Sequence, residues 1–144
     1  MVYGPGQRDL TKLVPYVCRS AIEGMNPKLM SGTRPVDWVY IDDVAEGLAR
    51  LLLQGPVDGS YVDLGTGDLT TTGDVATMIC SNCAETVQPE IGAIPDRAME
   101  QIRKANVEEA TALTGWAPKV SIDDGLRYTL EWYRENLHAI ISGD

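Results

Sequence analysis

Apolar side chains fall along this chain in short runs whose spacing switches between helical and extended periods. Over residues 9–24, Leu10, Leu13, Val14, Val17, Ala21 and Ile22 follow the i, i+3, i+4, i+7 spacing of a helix with one buried face. Pro15 interrupts that stripe, so the helix proper can begin near it; Gly24 and Asn26-Pro27 stop it. Lys28 to Ser31 reads as a short strand, residues 32–36 as a loop, and Asp37 to Ile41 as a strand rich in β-formers. Asp42 then reads as an N-cap with Asp43 in the first helical turn. Val44, Ala45, Leu48, Leu51 and Leu52 are the expected buried face of that helix, and Gly55-Pro56 its end.

The second half continues in the same way. Ser60 to Leu64 predicts a strand, Gly65 to Asp68 a turn, and residues 73–80 a helix burying Val75, Met78 and Ile79. Thr86 to Gln88 is a further strand candidate before the loop-like Pro89, Gly92 and Pro95. Asn106 caps a short helix carrying Val107, Ala110 and Leu113. Ser121 opens the last helix as a capping box with Asp124 in place of the usual Glu or Gln. Ile122, Leu126, Thr129, Leu130, Tyr133 and Leu137 line one side of it. The expected architecture is a single α/β domain over residues 1–144, a small mixed lobe with short strands between packed helices.

Composition narrows the function classes. A chain of 144 residues with 44% hydrophobic content can bury one real core. No apolar run approaches the ~20 residues of a membrane span, and the N-terminus lacks a basic-then-apolar signal pattern, so a cytoplasmic location is expected. The net charge of −9 argues against nucleic acid or an anionic membrane as partner. An acidic chain that binds an anion must do so through a few locally placed cations.

Several tempting residues read as structural. Cys80-Ser81-Asn82-Cys83 is formally a C-x-x-C, but it falls at the far end of a predicted helix, the wrong pole for thiolate activation. A zinc site would need two further ligands, and His138 is the only histidine. With Cys18 the thiols are odd in number, against a disulfide scaffold. No metal is therefore expected. The pairs Asp42-Asp43 and Asp123-Asp124 stand at helix starts, where capping accounts for them. Trp116 reads as a core anchor below the last helix, and His138 as a solvated side chain.

Four segments carry a resemblance. They are Tyr3-Gly4-Pro5-Gly6, Asp37 to Ala45 (Asp-Trp-Val-Tyr-Ile-Asp-Asp-Val-Ala), Gly59 to Gly67, and Thr114-Gly115-Trp116-Ala117-Pro118. In this order, and with the closing helix and its Glu131-Trp132-Tyr133, the chain resembles the C-terminal part of the NAD-dependent epimerase/dehydratase family. These are extended short-chain dehydrogenases acting on nucleotide sugars. The resemblance implies a substrate-binding lobe, with residues 1–8 similar to the last strand and loop of a Rossmann domain whose N-terminal half this chain lacks.

It also implies where ligand contacts lie. Arg34 stands near the position of a phosphate-binding Arg, two residues earlier than usual, because Val36 occupies the place just before Asp37. Arg97 resembles a second phosphate-contacting Arg. Gly4, Pro5 and Gly6 would shape the loop beside nicotinamide and sugar, with Gln7 and Arg8 within reach of the ligand. The alternatives are a solvated loop Arg for Arg34 and a plain turn feeding a helix for residues 4–7. Catalytic residues are not expected: the family's Tyr with Lys four residues on is matched by none of the six tyrosines. Gly4-Pro5-Gly6 and Gly65-Thr66-Gly67 lack the third glycine of a dinucleotide fingerprint. No cofactor is expected on this chain alone, NAD or NADP being implied for a full-length relative.

The expected function is weak binding of a nucleoside diphosphate sugar. An alternative is a protein-interaction module that self-associates as a homodimer or docks on a separate Rossmann cofactor domain.

Overall fold

The computed structural model describes residues 1–54, 59, 61–84, 86–96 and 101–143. Its elements run β1 (Val2–Tyr3), α1 (Leu13–Ile22), β2 (Pro35–Asp37), β3 (Val39–Tyr40), α2 (Ile41–Gln54), β4 (Leu69–Thr71), α3 (Thr72–Cys83), α4 (Val107–Thr114) and α5 (Ile122–Ser142). β1 and β3 pair in parallel, with Val2 opposite Val39 and Tyr3 opposite Tyr40. β2 and β4 pair antiparallel, with Pro35 opposite Thr71 and Asp37 opposite Leu69. The architecture is mixed α/β, as expected.

The core lies where α1, α3 and α5 meet. Val14, Val17, Cys18 and Ala21 of α1 pack with Val75, Ala76 and Ile79 of α3 and Leu126, Leu130 and Tyr133 of α5. Pro15 is the third residue of α1, within the first turn, whose amides have no intrahelical partner to lose. Caps hold the later helices as read: Asn106 accepts from the Glu109 amide at 3.3 Å, and Ser121 Oγ accepts from the Asp124 amide at 3.2 Å. An aromatic cluster joins the core to the first sheet, the Tyr3 ring meeting Trp38 edge-on at 6.2 Å and Tyr40 at 5.8 Å.

Several expectations fail for identifiable reasons. Asp37 to Ile41 is not one strand: the chain changes sheets at Trp38, so Pro35–Asp37 pairs with β4 and Val39–Tyr40 with β1. The loop expected over 32–36 is shortened accordingly. Ile41 already belongs to α2, which puts Asp42 inside the helix rather than at its cap. Lys28 to Ser31 contributes a single bridge, Lys28 to Glu90. Residues 61–64 and 86–88 form no strand, while Leu69–Thr71, not expected as one, does. Ser60 and Gly55-Pro56 lie outside the described residues.

The largest departure concerns α2. Ala45, Leu48 and Leu52, expected inside, are exposed, Leu48 to 58% and Leu52 to 86%; Val44 and Leu51 are half-buried. The inward side is instead polar and small. Asp43 is buried, its carboxylate accepting from the Val120 amide at 3.0 Å. Gly47 lies under Leu64 and Trp116, where an added Cβ would come within 2.8 Å of Leu64 and 3.2 Å of the indole. Trp116 is buried, as expected, but it anchors α2, its indole N–H donating to the Asp43 carbonyl at 2.8 Å. Leu113 of α4, also expected inside, is exposed.

Candidate functional site

A cavity of about 1000 Å³ opens beside the N-terminal end of α1. Two segments far apart in sequence form its polar walls. One is Gln7 with Thr11 and Lys12, leading into α1; the other is Lys28 with Ser31, Thr33 and Arg34, leading into β2. Tyr3, Val14, Leu29 and Trp38 supply apolar lining, and Ile94, Asp96 and Ile102 close the far side.

Local chemistry holds these walls in place. Gly32 takes a φ of +70°, and its Cα approaches the start of α3 so closely that an added Cβ would sit 3.1 Å from Gly73. The Gly73 amide donates to the Gly32 carbonyl at 2.9 Å and the Thr72 amide to the Arg34 carbonyl at 3.0 Å, tying residues 32–34 to α3. The Ser31 amide donates to Asp96 Oδ1 at 2.9 Å, which binds the third wall to the second. The Lys28 amide donates to the Tyr16 hydroxyl at 3.0 Å, joining that wall to α1.

The electrostatics run against the molecule as a whole. In a chain of net charge −9, the cavity's ionisable side-chain lining includes Lys12, Lys28 and Arg34 against the single carboxylate of Asp96. The start of α1 adds to this. Its first turn carries no acidic residue and its N-cap Lys12 makes no side-chain cap, leaving the positive end of the helix dipole uncompensated on the cavity wall. Three cations and a helix N-terminus around one space suit a ligand with more than one negative charge.

The sequence-derived site residues divide. Gln7 and Arg34 line the cavity together. Gly4, Pro5 and Gly6 are not among its lining residues. Gly4 is buried at φ +150°, where an added Cβ would stand 2.3 Å from Ile41 Cγ2, so its role in this fold is close packing against the start of α2. Tyr133 donates its hydroxyl to the Gln7 carbonyl, fixing the exit of that loop to α5. Arg97 lies outside the described residues, although its neighbour Asp96 is on the cavity wall. Lys12, Lys28 and Thr33 escape sequence reasoning because nothing local separates them from surface residues; only the fold sets residues 11–14 opposite 28–34.

Neither glycine pair fits a dinucleotide pyrophosphate. Gly4 is filled by Ile41, and Gly65 packs against Asp37 and Ala105, with an added Cβ 2.7 Å from Asp37 Oδ2. The 65–67 turn wraps a carboxylate of the protein itself: Asp37 accepts from the Thr66 amide at 2.8 Å and the Gly67 amide at 3.0 Å. The thiols are likewise unactivated. Cys80 and Cys83 lie in the last turn of α3, and burial, with Cys83 beside it, pushes Cys80 up to about 11.

Comparison with known proteins agrees with this geometry. Residues 1–63 match the model of the NAD dependent epimerase/dehydratase family. The chain is 31% identical over 142 residues to dTDP-glucose 4,6-dehydratase 1 of Escherichia coli, covering 93% of this chain and 39% of that enzyme. The crystal structure of dTDP-glucose 4,6-dehydratase from Bacillus anthracis in complex with NAD superposes with a TM-score of 0.84 at 26% identity, covering 96% of this chain and 43% of that one. The Bordetella bronchiseptica enzyme WbmF in complex with NAD+ and UDP gives a TM-score of 0.78 at 28% identity, covering 98% of this chain and 45% of that one. The chain thus spans about two fifths of the length of the curated relatives it matches. Its motifs, its fold and these matches place the chain in the NAD dependent epimerase/dehydratase family.

Proposed function

We propose that this chain binds a nucleoside diphosphate sugar in the cavity between α1 and the 28–34 segment, as the substrate-recognition part of a sugar-nucleotide epimerase or dehydratase. The observation that carries the reading is the gathering of Lys12, Lys28 and Arg34 around one cavity in an otherwise acidic chain. Arg34 pairs with the diphosphate through its planar fork, Lys12 and Lys28 act as point charges, and the α1 amides add their dipoles. Gln7, Thr11, Ser31 and Thr33 supply hydrogen bonds for orientation. The UDP in the WbmF structure is a ligand of the same class, bound by a relative. The hydride chemistry of NAD or NADP in a full-length relative falls to residues outside this chain, and the affinity of this part alone is weak because an incomplete pocket buries little of its ligand.

Calorimetric titration with UDP-glucose and dTDP-glucose, against free glucose and free nucleoside, tests the reading. Saturable heat is expected for the diphosphate compounds only. Arg34→Ala is expected to weaken it at least about tenfold, the loss of about 1.4 kcal/mol. Arg97→Ala is a second variant of the same titration. Equal affinity in Arg34→Ala, or no heat at millimolar ligand, contradicts the assignment.

A second reading, a protein-interaction module, is favoured by the exposed apolar side of α2. No residue of α2 lines the cavity, so the two roles do not compete for residues.

A further inference from the structure

α2 carries its apolar side outward. Its inward side holds Asp43 and Gly47, while Glu46, half-buried, pairs with Arg50 at 2.8 Å and with Lys119 at 2.6 Å, and Arg50 donates to the Gly115 carbonyl. The outward side is a continuous stripe of Ala45, Leu48, Ala49, Leu52 and Leu53, all exposed, the last two to 86% and 78%. No charged side chain interrupts that stripe. On a molecule of net charge −9, an uncharged surface is where like can meet like without repulsion.

We propose that this stripe is the docking face for a second copy of the chain, α2 against α2, antiparallel about a two-fold axis between Leu48 and Ala49. The sequence is self-complementary in that register. A two-fold axis there sets Leu52 opposite the partner's Ala45 and Leu48 opposite the partner's Ala49, and the reverse, so each large residue lies over a small one. Alanines let the backbones approach, and leucines fill the space between. α2 is 14 residues, about 21 Å long, so one face of it on each side buries well below the roughly 800 Å² per partner of a standard interface. The dimer is accordingly a weak one, with a dissociation constant on the order of 100 μM. It rests on residues independent of the sugar-nucleotide cavity, so either assignment can fail without the other.

Sedimentation equilibrium over concentrations from micromolar to millimolar, with and without UDP-glucose, tests it. The expected result is a monomer–dimer equilibrium unaffected by the ligand. Leu52→Glu is expected to raise the dissociation constant at least tenfold with an unchanged circular dichroism spectrum, since that side chain makes little contact within the monomer. Ala45→Leu separates the specific register from general stickiness. It closes the site that the partner's Leu52 fills, so it weakens the proposed dimer, whereas indiscriminate apolar association would strengthen. A monomer at every concentration overturns the proposal, as does association untouched by Leu52→Glu or strengthened by Ala45→Leu. So does a monomer that forms a one-to-one complex with the separately prepared NAD-binding part of a relative through the same leucines.

Discussion

Replacing Trp116 by alanine is expected to cost about 3–5 kcal/mol, a large part of the stability of a domain this size. The indole is 1% exposed and fills the space beneath Gly47 of α2. Its N–H satisfies the Asp43 carbonyl at 2.8 Å, which the truncation leaves without that donor. The backbone around it is bound as well: the Trp116 amide donates to Thr114 Oγ1 at 3.1 Å, and Thr111 Oγ1 donates to the Trp116 carbonyl at 2.7 Å. Because the Val120 amide also bonds Asp43, the loop from Gly115 to Ser121 loses its hold on α2 as a unit. Urea denaturation checks the figure. Trp116→Phe, which keeps an aromatic ring and removes only the N–H, is expected to cost about 1–2 kcal/mol and serves if the alanine variant does not fold. A cost below that for the alanine variant would mean that α2 is not held through this residue.

Asp37→Asn is expected to lose about 3 kcal/mol although the side chain keeps its shape. The buried carboxylate accepts four hydrogen bonds, from the Thr66 amide and hydroxyl at 2.8 Å each and from the Gly67 and Ala105 amides at 3.0 Å each. An amide has one oxygen for two of these donors and turns its own N–H groups on the other pair. Protonation does part of the same damage. Burial pushes the pKa of Asp37 up, but the amides of Ala105 and Thr66, the Thr66 hydroxyl and the Gly67 amide outweigh it and hold the carboxyl below its ordinary value. A depressed folded pKa contributes stability that is fully present above the unfolded value of about 3.9 and is lost as pH falls through the folded value. Wild-type stability should therefore drop more steeply below about pH 4 than that of Asp37→Asn. Parallel slopes would show that Asp37 does not carry this linkage.

Particular residues show what was legible in the sequence. The later helices announce themselves through caps and stripes: Ser121 with Asp124, Asn106 with Glu109, and the Leu126, Leu130, Tyr133, Leu137 row all stand as read. These are local signals, satisfied within one or two turns. Trp38 is the opposite case. A run of five strand formers carries no mark of where the chain leaves one sheet for another, because that depends on β4 and β1, which arrive from distant sequence. α2 misled for a related reason. Its apolar period is clear, but which side faces inward was decided by Trp116 and Val120 bonding to Asp43, contacts across more than seventy residues. Arg34 and Gln7 were legible through motif position, whereas Lys12 and Lys28 become site residues only when the Gly32 turn closes on Gly73.

Amide chemical-shift mapping with dTDP-glucose and UDP-glucose tests most directly whether the cavity is the sugar-nucleotide site. Saturable shifts are predicted at Gln7, Thr11, Lys12, Ser31, Thr33 and Arg34, with Leu48 and Leu52 of α2 unmoved. Shifts confined to other surfaces, or a spectrum unchanged at millimolar ligand, would contradict it.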